Sequence, residues 1–377
     1  MQAGLSLSRA EICPNKHPRR GDVSVTLHDL RKEIDQIDEQ ILQLLNRRAE
    51  LAQQIGTMKA RSRTQFFTPE REQQIYRRLA QLNKGPLSNQ QMRAIFREII
   101  SAARALEKPL VIAYWGPPGT FSHQAGVTKF GTSSEFVPVE SIQDVFHEVE
   151  RSSADYGVVP VENSTAGVIP ETLDQFMHTN LKICSELYVP ITYYLVSQTT
   201  LENVKRVYAG AQPREQCKQW LRQHLPGVEI VEVSTTARAA EMAKEDPESA
   251  AVTNALAAQM YDVPILCEHI EDNPHNRTRF LIVGYNEPEP TGKDKTSLMF
   301  SVHNRPGALF RAMAAFEMYN VNMTMIESRP TKLVPGEYIF YVDVQGHIKD
   351  APVAKALAAL RERSLFVTVL GSYPESE

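Results

Sequence analysis

The stretch that decides the fold of the N-terminal region is residues 30–59, LRKEIDQIDEQILQLLNRRAELAQQIGTMK. Its apolar residues recur at spacings of three and four, or sums of these, which is the period of an amphipathic helix. They are Leu30, Ile34, Ile37, Ile41, Leu44, Leu45, Leu51, Ile55 and Met58. Thr26 and Asp29 can cap its start, so the pattern predicts one helix of about 33 residues, near 50 Å at 1.5 Å per residue.

Two further helices complete a predicted all-helical domain over residues 26–107. Thr68 and Pro69 form a cap followed by a proline at the first helical position, which opens a helix that ends near Gly85. Ser88 opens a third helix that runs to about Glu107. Because a chain of this size cannot cover so long a first helix by itself, we expect an intertwined helical homodimer.

Cations lie on the apolar stripe of the first helix. Arg48 is three or four residues from Leu44, Leu45 and Leu51, and a buried guanidinium requires an anionic partner. Lys59 lies eleven residues on, within roughly 20° of Arg48 around the helix, whereas Arg31 is about 100° away and would reach the pocket of a second copy. Solvated charges or internal salt bridges are the alternative interpretation.

The charge of this region favours an anionic ligand. Residues 25–108 contain 15 Lys and Arg against 10 Asp and Glu, a net charge of +5, whereas the whole chain carries −4. No Lys/Arg run with interleaved aromatic residues is present, so nucleic acid is not the expected ligand.

Residues 109–284 change to short β-rich runs that alternate with helical ones, which predicts a two-lobed α/β domain with largely parallel strands. Predicted strands are 110–115, 156–161, 191–197, 204–208, 228–233, 250–253 and 279–283; predicted helices are 141–151, 212–224 and 235–245. Three segments place small or hydroxyl residues where strands end, as ligand-binding loops do. They are GPPGTFSHQA (116–125), VVPVENSTAGVI (158–169) and NRTRFLIV (276–283).

A polar linker, residues 285–296, separates this domain from a third one over residues 297–377. Strand 297–302, helix 307–319, strands 323–329 and 337–344, helix 351–362 and strand 365–371 follow the βαββαβ order of a ferredoxin-like α+β fold. Gly307 follows Pro306 at the first strand-to-helix turn, where the absent side chain allows a ligand close to the backbone. A plain turn is the alternative.

The composition is that of a soluble protein with several domains: 377 residues, 42% apolar and 23% charged. Residues 1–25 are polar and lack the apolar core of a secretory signal, so we expect a disordered tail, and no apolar run is long enough to span a membrane. The four cysteines, Cys13, Cys184, Cys217 and Cys267, have no paired spacing. We therefore expect no metal, no cofactor and a reducing, cytoplasmic location.

The first domain resembles the all-helical chorismate mutase family, from residues 30–59 through TPERE at 68–72. The resemblance implies that chorismate, a dianion, is rearranged to prephenate without a nucleophile or cofactor. It implies substrate contacts from Arg31 of a second copy, Arg48, Lys59, Arg71, Glu72 and Glu107. Lys59 and Glu107 would face the ether oxygen. A protonated Glu107 would donate a hydrogen bond there, so we predict faster turnover at mildly acidic pH.

Residues 109–284 resemble the prephenate dehydratase family, most specifically at Thr278-Arg279-Phe280, which implies a periplasmic-binding-protein-like fold. The implied reaction converts prephenate to phenylpyruvate with loss of CO2 and the ring hydroxyl. Thr278 would contact the leaving hydroxyl, and Asn163, Ser164 and Thr165 would orient the substrate. Further substrate contacts are expected from Gly119, Ser122, Glu162, Gln216, Arg279 and Phe280.

The third domain resembles the ACT regulatory family at HNRPGALFRAMAAF (303–316) and NMTMIESRP (322–330). The resemblance implies that paired domains bind phenylalanine as an effector and inhibit the enzyme. Residues expected to form that site are Gly307, Ala308, Leu309, Asn322, Glu327, Ser328, Arg329 and Pro330.

Two alternatives remain at this point. Ala209-Gly210-Ala211 stands where the dehydratase family often has Ser-His-Pro, so the mutase could be accompanied by an impaired dehydratase that acts as an amino-acid-binding sensor. The second and third domains could also form only a sensor, which the presence of Thr278 together with residues 162–165 argues against. Supplying chorismate and following prephenate and phenylpyruvate separates these readings.

Overall fold

The computed structural model describes residues 26–62, 67–331 and 337–376. The predicted disordered tail, residues 1–25, lies outside this part of the chain. The described residues up to Glu50 belong to one compact unit, and those from Leu51 onward form a second.

Three helices open the described chain: α1 (Leu27–Ser62), α2 (Pro69–Leu82) and α3 (Asn89–Glu107). The backbone N–H of Thr26 donates to Asp29 Oδ2 over 3.1 Å, and that of Asp29 donates to Thr26 Oγ1 over 3.2 Å, which confirms the predicted cap of α1. Ser88 and Gln91 form the capping box of α3. Thr68 occupies the cap position of α2, but its side chain caps no backbone N–H there. The predicted helices are therefore correct, and Pro69 rather than a side-chain cap marks the start of α2.

The apolar side of α1 is exposed in the single chain. Within the first unit, apolar side chains such as Leu30, Ile34 and Leu44 are 47% to 71% exposed. Leu51, Ile55 and Met58, which belong to the second unit, are 44% to 69% exposed. The predicted apolar stripe thus exists, and the described residues of one chain do not bury it.

The middle region has two sheets flanked by helices. In chain order its elements are β1 (Val111–Trp115), α4 (Phe121–Phe130), β2 (Glu135–Val139), α5 (Ile142–Glu150), β3 (Tyr156–Asn163), β4 (Gly167–Val168), α6 (Pro170–Gln175), β5 (Lys182–Pro190), β6 (Tyr194–Ser197), β7 (Arg206–Ala209), α7 (Ala211–Gln216), α8 (Lys218–His224), β8 (Glu229–Glu232), α9 (Thr236–Glu245), β9 (Ser249–Thr253), α10 (Ala255–Met260), β10 (Ile265–Cys267) and β11 (Arg277–Gly284). All seven predicted strands occur within this set. The helix predicted over 212–224 is two short helices, and β2, β4, β5 and β10 were not predicted.

Each sheet forms one lobe. Lobe 1 has the strand order β2-β1-β3-β11-β5, with β4 paired to β3, and lobe 2 has the order β10-β6-β9-β7-β8. The pairs β1–β2, β1–β3, β7–β8 and β7–β9 are parallel, whereas β3–β11, β11–β5, β6–β9 and β6–β10 are antiparallel. The prediction of largely parallel strands was therefore wrong, because β11 returns to lobe 1 between β3 and β5 in the opposite direction.

The C-terminal region has the predicted βαββαβ order. Its elements are β12 (Asp294–Ser301), α11 (Ala308–Met318), β13 (Met323–Pro330), β14 (Tyr338–Gln345), α12 (Ala351–Arg361) and β15 (Phe366–Pro374). The sheet is antiparallel in the order β13-β14-β12-β15. Strand β12 begins three residues before the predicted start because Asp294, Lys295 and Thr296 pair with the neighbouring strands β14 and β15.

The C-terminal sheet is covered on both faces. On one face α11 and α12 bury residues such as Phe316 and Leu357 in a core with Leu298 and Phe300. On the other face Tyr341 packs in one cluster with residues of lobe 1. This second core joins the C-terminal domain to lobe 1 through apolar contacts.

The described residues contain no helix that is both long and apolar enough to cross a membrane. Within the same ranges, no group of three or more His, Cys, Asp or Glu side chains is arranged to hold a metal ion. Cys184, Cys217 and Cys267 are free thiols.

Candidate functional site

Thr278 lies in a hydrogen-bonded cluster where β3 ends beside the start of β11. The two strands pair in the register Thr278↔Asn163, and both side chains are buried, 7% and 5% exposed. Asn163 Nδ2 donates to Thr278 Oγ1 over 2.9 Å and to Asn276 Oδ1 over 2.9 Å. Since the Thr278 oxygen accepts from Asn163 and its hydrogen has no acceptor in the described part of the chain, the hydroxyl is arranged to donate to a ligand.

Asn163 also shapes the loop that follows it. Its Oδ1 accepts the backbone N–H groups of Thr165 and Ala166 over 3.0 and 2.9 Å. Ser164 Oγ accepts the backbone N–H of Arg277 over 3.0 Å. The structure therefore brings Asn163, Ser164 and Thr165 together beside the start of β11, with Ser164 and Thr165 exposed.

Gln216 connects this cluster to lobe 2. It ends α7, and its Oε1 accepts from Asn276 Nδ2 over 3.0 Å. Ser164 Oγ donates to Asn276 Oδ1 over 3.3 Å, so Asn276 bonds to residues of both lobes. The sequence reasoning missed Asn276 as a site residue, although it opens the segment NRTRFLIV.

Gly119 and Ser122 lie at a second contact between the lobes. Gly119 has φ +89°, and its carbonyl accepts from Asn254 Nδ2 of lobe 2 over 2.8 Å. An added Cβ would lie 3.1 Å from Ala257 Cβ, so the glycine permits close approach. Its N–H donates to His123 Nδ1 over 3.1 Å, so this N–H already has a partner within the chain. No hydrogen bond among the described residues joins Gly119 or the buried Ser122 to Thr278.

Arg279 and Phe280 do not line this cluster. Arg279 is 3% exposed, and its guanidinium is directed to the C-terminal domain. Phe280 is 2% exposed in the core of lobe 1, in one cluster with Ile112 and Tyr114. Successive side chains of a strand point to opposite faces, which explains why Arg279 points away from Thr278. Glu162, on the neighbouring strand, is half-buried.

In the second unit, Lys59 of α1 lies beside Glu107 of α3. Lys59 Nζ is 3.6 Å from Glu107 Oε2, and the two side chains are 22% and 11% exposed. A Cβ at Gly56 would come within 2.9 Å of Glu107 Cβ, so this glycine permits the close approach of α1 and α3. Gly56 was not singled out from the sequence, although it lies within the quoted stretch.

Arg71 and Glu72 are each bonded to another side chain of α2 or α3. Glu72 Oε1 accepts from Arg104 Nη2 over 2.7 Å, and both side chains are largely buried. Arg71 is exposed and donates to Gln74 Oε1 over 3.3 Å. In the first unit, Arg31 is exposed and Arg48 is half-buried. The structure thus pairs Lys59 with Glu107, whereas it joins Glu72 to Arg104.

The predicted effector residues occupy the first turn of α11 and strand β13. Gly307 is the left-handed residue that precedes α11, with φ +75°. Ala308 and Leu309 are half-buried. Asn322 Nδ2 donates to Gln345 Oε1 over 3.2 Å.

Along β13, the edge strand of its sheet, exposure alternates. Glu327 and Arg329 are half-buried, and Ser328 and Pro330 are exposed. Arg329 bonds to both carboxylate oxygens of Asp174 in α6 over 3.3 Å each. Arg329 therefore belongs to the predicted effector strand and also contacts lobe 1.

Three protein-family models match the chain in succession. They describe chorismate mutase type II over residues 30–108, prephenate dehydratase over 112–288 and the ACT domain over 296–362. A bifunctional chorismate mutase/prephenate dehydratase of Aquifex aeolicus is 46% identical over 93% of this chain and 98% of its own length.

The chain belongs to the bifunctional chorismate mutase/prephenate dehydratase family. The Pseudomonas aeruginosa enzyme of the same name is 42% identical over 93% of this chain and 98% of its own. A solved structure of prephenate dehydratase from Arthrobacter aurescens in complex with L-Phe matches with a TM-score of 0.66 and 36% identity, covering 71% of this chain and 90% of that one. In these family terms, the Thr278 cluster lies in the prephenate dehydratase domain and the Lys59–Glu107 pair in the chorismate mutase domain.

Proposed function

We propose that this chain converts chorismate to prephenate and prephenate to phenylpyruvate, and that phenylalanine regulates it. The observation that carries the proposal is the Thr278 hydroxyl, which accepts from Asn163 at 2.9 Å and whose hydrogen has no acceptor among the described residues. This arrangement is that of a hydrogen-bond donor to a leaving group. The matched chorismate mutase family accounts for the step that makes prephenate, and the matched ACT family accounts for regulation by phenylalanine.

The first step is a rearrangement that the protein accelerates by holding the substrate compactly and stabilising charge. Lys59 would donate to the ether oxygen as negative charge develops there. Glu107 would face the same atom, since its Oε2 lies 3.6 Å from Lys59 Nζ. Arg48 would hold a carboxylate, and Arg71 would add positive charge. Glu72 is bonded to Arg104 and would position that guanidinium rather than meet the substrate.

This site is completed by a second copy of the chain. The exposed apolar stripe of α1 requires a cover, and another α1 offers the same length and the same pattern. Arg31 of that second copy would then bind the remaining substrate carboxylate. The active form is therefore a homodimer, and its location is the cytoplasm, which suits free thiols at Cys184, Cys217 and Cys267.

The second step removes CO2 and the ring hydroxyl of prephenate and leaves an aromatic ring. The C–C bond to the carboxylate supplies the electron pair that forms the ring double bond, and the C–O bond breaks to release hydroxide. Thr278 would donate a hydrogen bond to that oxygen as it acquires charge. A threonine is a poor acid, so positioning and hydrogen bonding dominate. Ser164, Thr165 and Glu162 would orient the substrate, with Gly119 and Ser122 at the lobe contact.

Gln216 favours an active dehydratase over the impaired one. It is connected to Thr278 through Asn276 and Asn163 by bonds of 2.9 to 3.0 Å. Ala209, Gly210 and Ala211 form the turn from β7 into α7, and Ala209 is fully buried. These small residues place α7, and hence Gln216, without contributing a functional group of their own.

Phenylalanine would bind at the first turn of α11 and along β13. Gly307 leaves space for the amino acid next to the backbone, and the effector residues would come from paired C-terminal domains. They are Gly307, Ala308, Leu309, Asn322, Glu327, Ser328, Arg329 and Pro330. The Arthrobacter aurescens prephenate dehydratase was solved in complex with L-Phe, which supports phenylalanine as the effector. Inhibition requires that phenylalanine bind one arrangement of the dimer more tightly than another.

A coupled assay tests the proposal. The purified chain is supplied with chorismate, and prephenate and phenylpyruvate are measured with and without phenylalanine. Both products should form, and phenylalanine should lower the phenylpyruvate rate. Prephenate that accumulates without phenylpyruvate would instead establish the impaired dehydratase. Tight phenylalanine binding with neither product would establish a sensor.

A further inference from the structure

A buried cluster of charged side chains joins the prephenate dehydratase domain to the ACT domain. Arg279 Nε donates to Glu186 Oε2 over 2.7 Å, and its Nη1 lies 2.6 Å from Asp343 Oδ2. Lys295 Nζ bonds to both Glu186 oxygens over 2.8 and 2.9 Å. These four side chains are at most 6% exposed, and their two positive and two negative charges balance.

Two hydroxyl groups complete the cluster. Tyr373 Oη accepts from Arg279 Nη2 over 3.0 Å and is bonded to Ser297 Oγ over 2.6 Å. Ser297 Oγ in turn donates to Asp343 Oδ1 over 2.5 Å. Burial raises the pKa of Glu186, but the charges of Arg279 and Lys295 outweigh burial and hold that pKa below its usual value. The Glu186 carboxylate is therefore ionised across the neutral pH range.

Each half of the cluster comes from a different domain. Glu186 and Arg279 lie on β5 and β11 of lobe 1, whereas Lys295, Asp343 and Tyr373 lie on β12, β14 and β15 of the ACT domain. Apolar residues of similar volume would join two domains at least as well, because removing charges from water is costly. A charged cluster instead fixes relative position, since each hydrogen bond requires one geometry.

The cluster is attached directly to the strand of Thr278. Arg279 follows Thr278 on β11, and the two side chains point to opposite faces of the sheet. The β3–β11 register also shifts by one residue between Arg279 and Phe280, so Arg279 lies at an irregularity of the strand pairing, which then continues to Val283. The position of Thr278 therefore depends on where the Arg279 guanidinium is held.

A second contact connects the ACT domain to the other segment of the site. Arg329 of β13 pairs with Asp174 of α6, and Tyr341 Oη donates to the carbonyl of Leu173 over 2.9 Å. Helix α6 follows the loop that contains Ser164. Strand β11 and helix α6, which lie on either side of the Thr278 cluster in the chain, are thus both bonded to the sheet of the ACT domain.

We propose that Arg279 is a positioning residue for Thr278, and that its attachment to Asp343 and Tyr373 makes prephenate turnover depend on the ACT domain even without phenylalanine. The inference rests on the proposed dehydratase activity. A displacement of β14 or β15 is transmitted through the guanidinium to the hydroxyl that contacts the leaving group. Effector binding at β13 then reaches the reaction through groups that never contact the substrate.

The test uses the full chain with Asp343→Asn, which keeps the shape of the side chain and removes its charge. The kcat for prephenate should fall about tenfold, because small misplacement of a catalytic group is costly, while KM changes by less than about twofold. Mutase turnover should stay at the unmodified rate. Tyr373→Phe removes the hydrogen bonds to Arg279 and Ser297 but no charge, and should lower kcat about threefold while the melting temperature falls by a few degrees.

Glu289→Gln is the matched control, because Glu289 forms an exposed ion pair with Lys349 and has no bond to β11. It should leave both rates unchanged. Unmodified kcat in Asp343→Asn and Tyr373→Phe, whatever their melting temperatures, would overturn the inference. If Asp343→Asn fails to fold, Tyr373→Phe decides alone. An unmodified chain that does not turn over prephenate would refute the proposed function instead.

Discussion

The cluster around Thr278 and the apolar side of α1 differ in how much of each site one chain contains. Thr278 and Asn163 are 7% and 5% exposed, and their bonds are made within the chain. Ile34 and Leu44 of α1 are 55% and 71% exposed. A buried hydrogen-bond network made within one chain indicates a site that one fold builds by itself, whereas an exposed apolar helix side indicates a site that requires a second copy.

The comparison is tested most strongly by Thr278→Ala. Loss of a hydrogen-bond donor to the leaving oxygen should lower kcat for prephenate by about 100- to 1,000-fold. Mutase turnover should not change, since the two sites lie in different domains. Thr278→Ser retains the hydroxyl and should retain most of the rate. A rate in Thr278→Ala close to that of the unmodified enzyme would remove Thr278 from the mechanism.

Ile41→Glu tests whether the site at α1 requires a second copy of the chain. A carboxylate in the middle of the apolar stripe should prevent two copies from packing, so sedimentation should show a smaller particle and mutase turnover should fall about 100-fold. Prephenate turnover should fall less than about threefold, because the Thr278 cluster is complete in one chain. Gln43→Glu is the control, since this position lies about 200° around the helix from Ile41. Equal loss of both activities in Ile41→Glu would contradict the proposed difference between a dehydratase site built by one chain and a mutase site built by two.

Gly56→Ala tests how closely α1 and α3 approach each other. The new Cβ would lie 2.9 Å from Glu107 Cβ and Cγ, so the helices must separate. Overpacking costs about 1–3 kcal/mol, whereas alanine gains about 1 kcal/mol in helix propensity, so we expect a small loss of stability. Mutase turnover should fall about tenfold as Glu107 moves from Lys59. Gly85→Ala, where an added Cβ meets only Asn83 Oδ1 at 4.0 Å, should not change it.

Glu107→Gln should have the smallest effect. The glutamine keeps the size of the side chain and can donate a hydrogen bond, and it removes the carboxylate that lies 3.6 Å from Lys59 Nζ. Mutase turnover should change by less than about threefold, and should rise rather than fall, because a carboxylate opposes the negative charge that develops on the ether oxygen. Stopped assays with chorismate measure the rates of both proteins. A loss of more than about tenfold would show that the carboxylate itself is required at this position.

The sequence alone determined the elements that depend on local patterns. The 3–4 spacing of apolar residues predicted α1, and Thr26 with Asp29 predicted its first turn, because both signals act within a few residues of the chain. The βαββαβ order of residues 294–374 was predicted for the same reason. The segment NRTRFLIV likewise pointed to Thr278, and its first residue, Asn276, joins the same cluster.

Only the tertiary structure decided the partners of the charged residues. Strand β5, KICSELYVP, contains Lys182 and Glu186 and gives no clear strand signal, since nothing local shows that Glu186 is neutralised by Arg279 and Lys295. Nothing local shows the partners of Arg279 either, and the sequence therefore suggested this residue as a substrate contact. A local pattern specifies which face of a strand a side chain takes, but its partner comes from a segment more than 60 residues away, and only folding brings the two charges together.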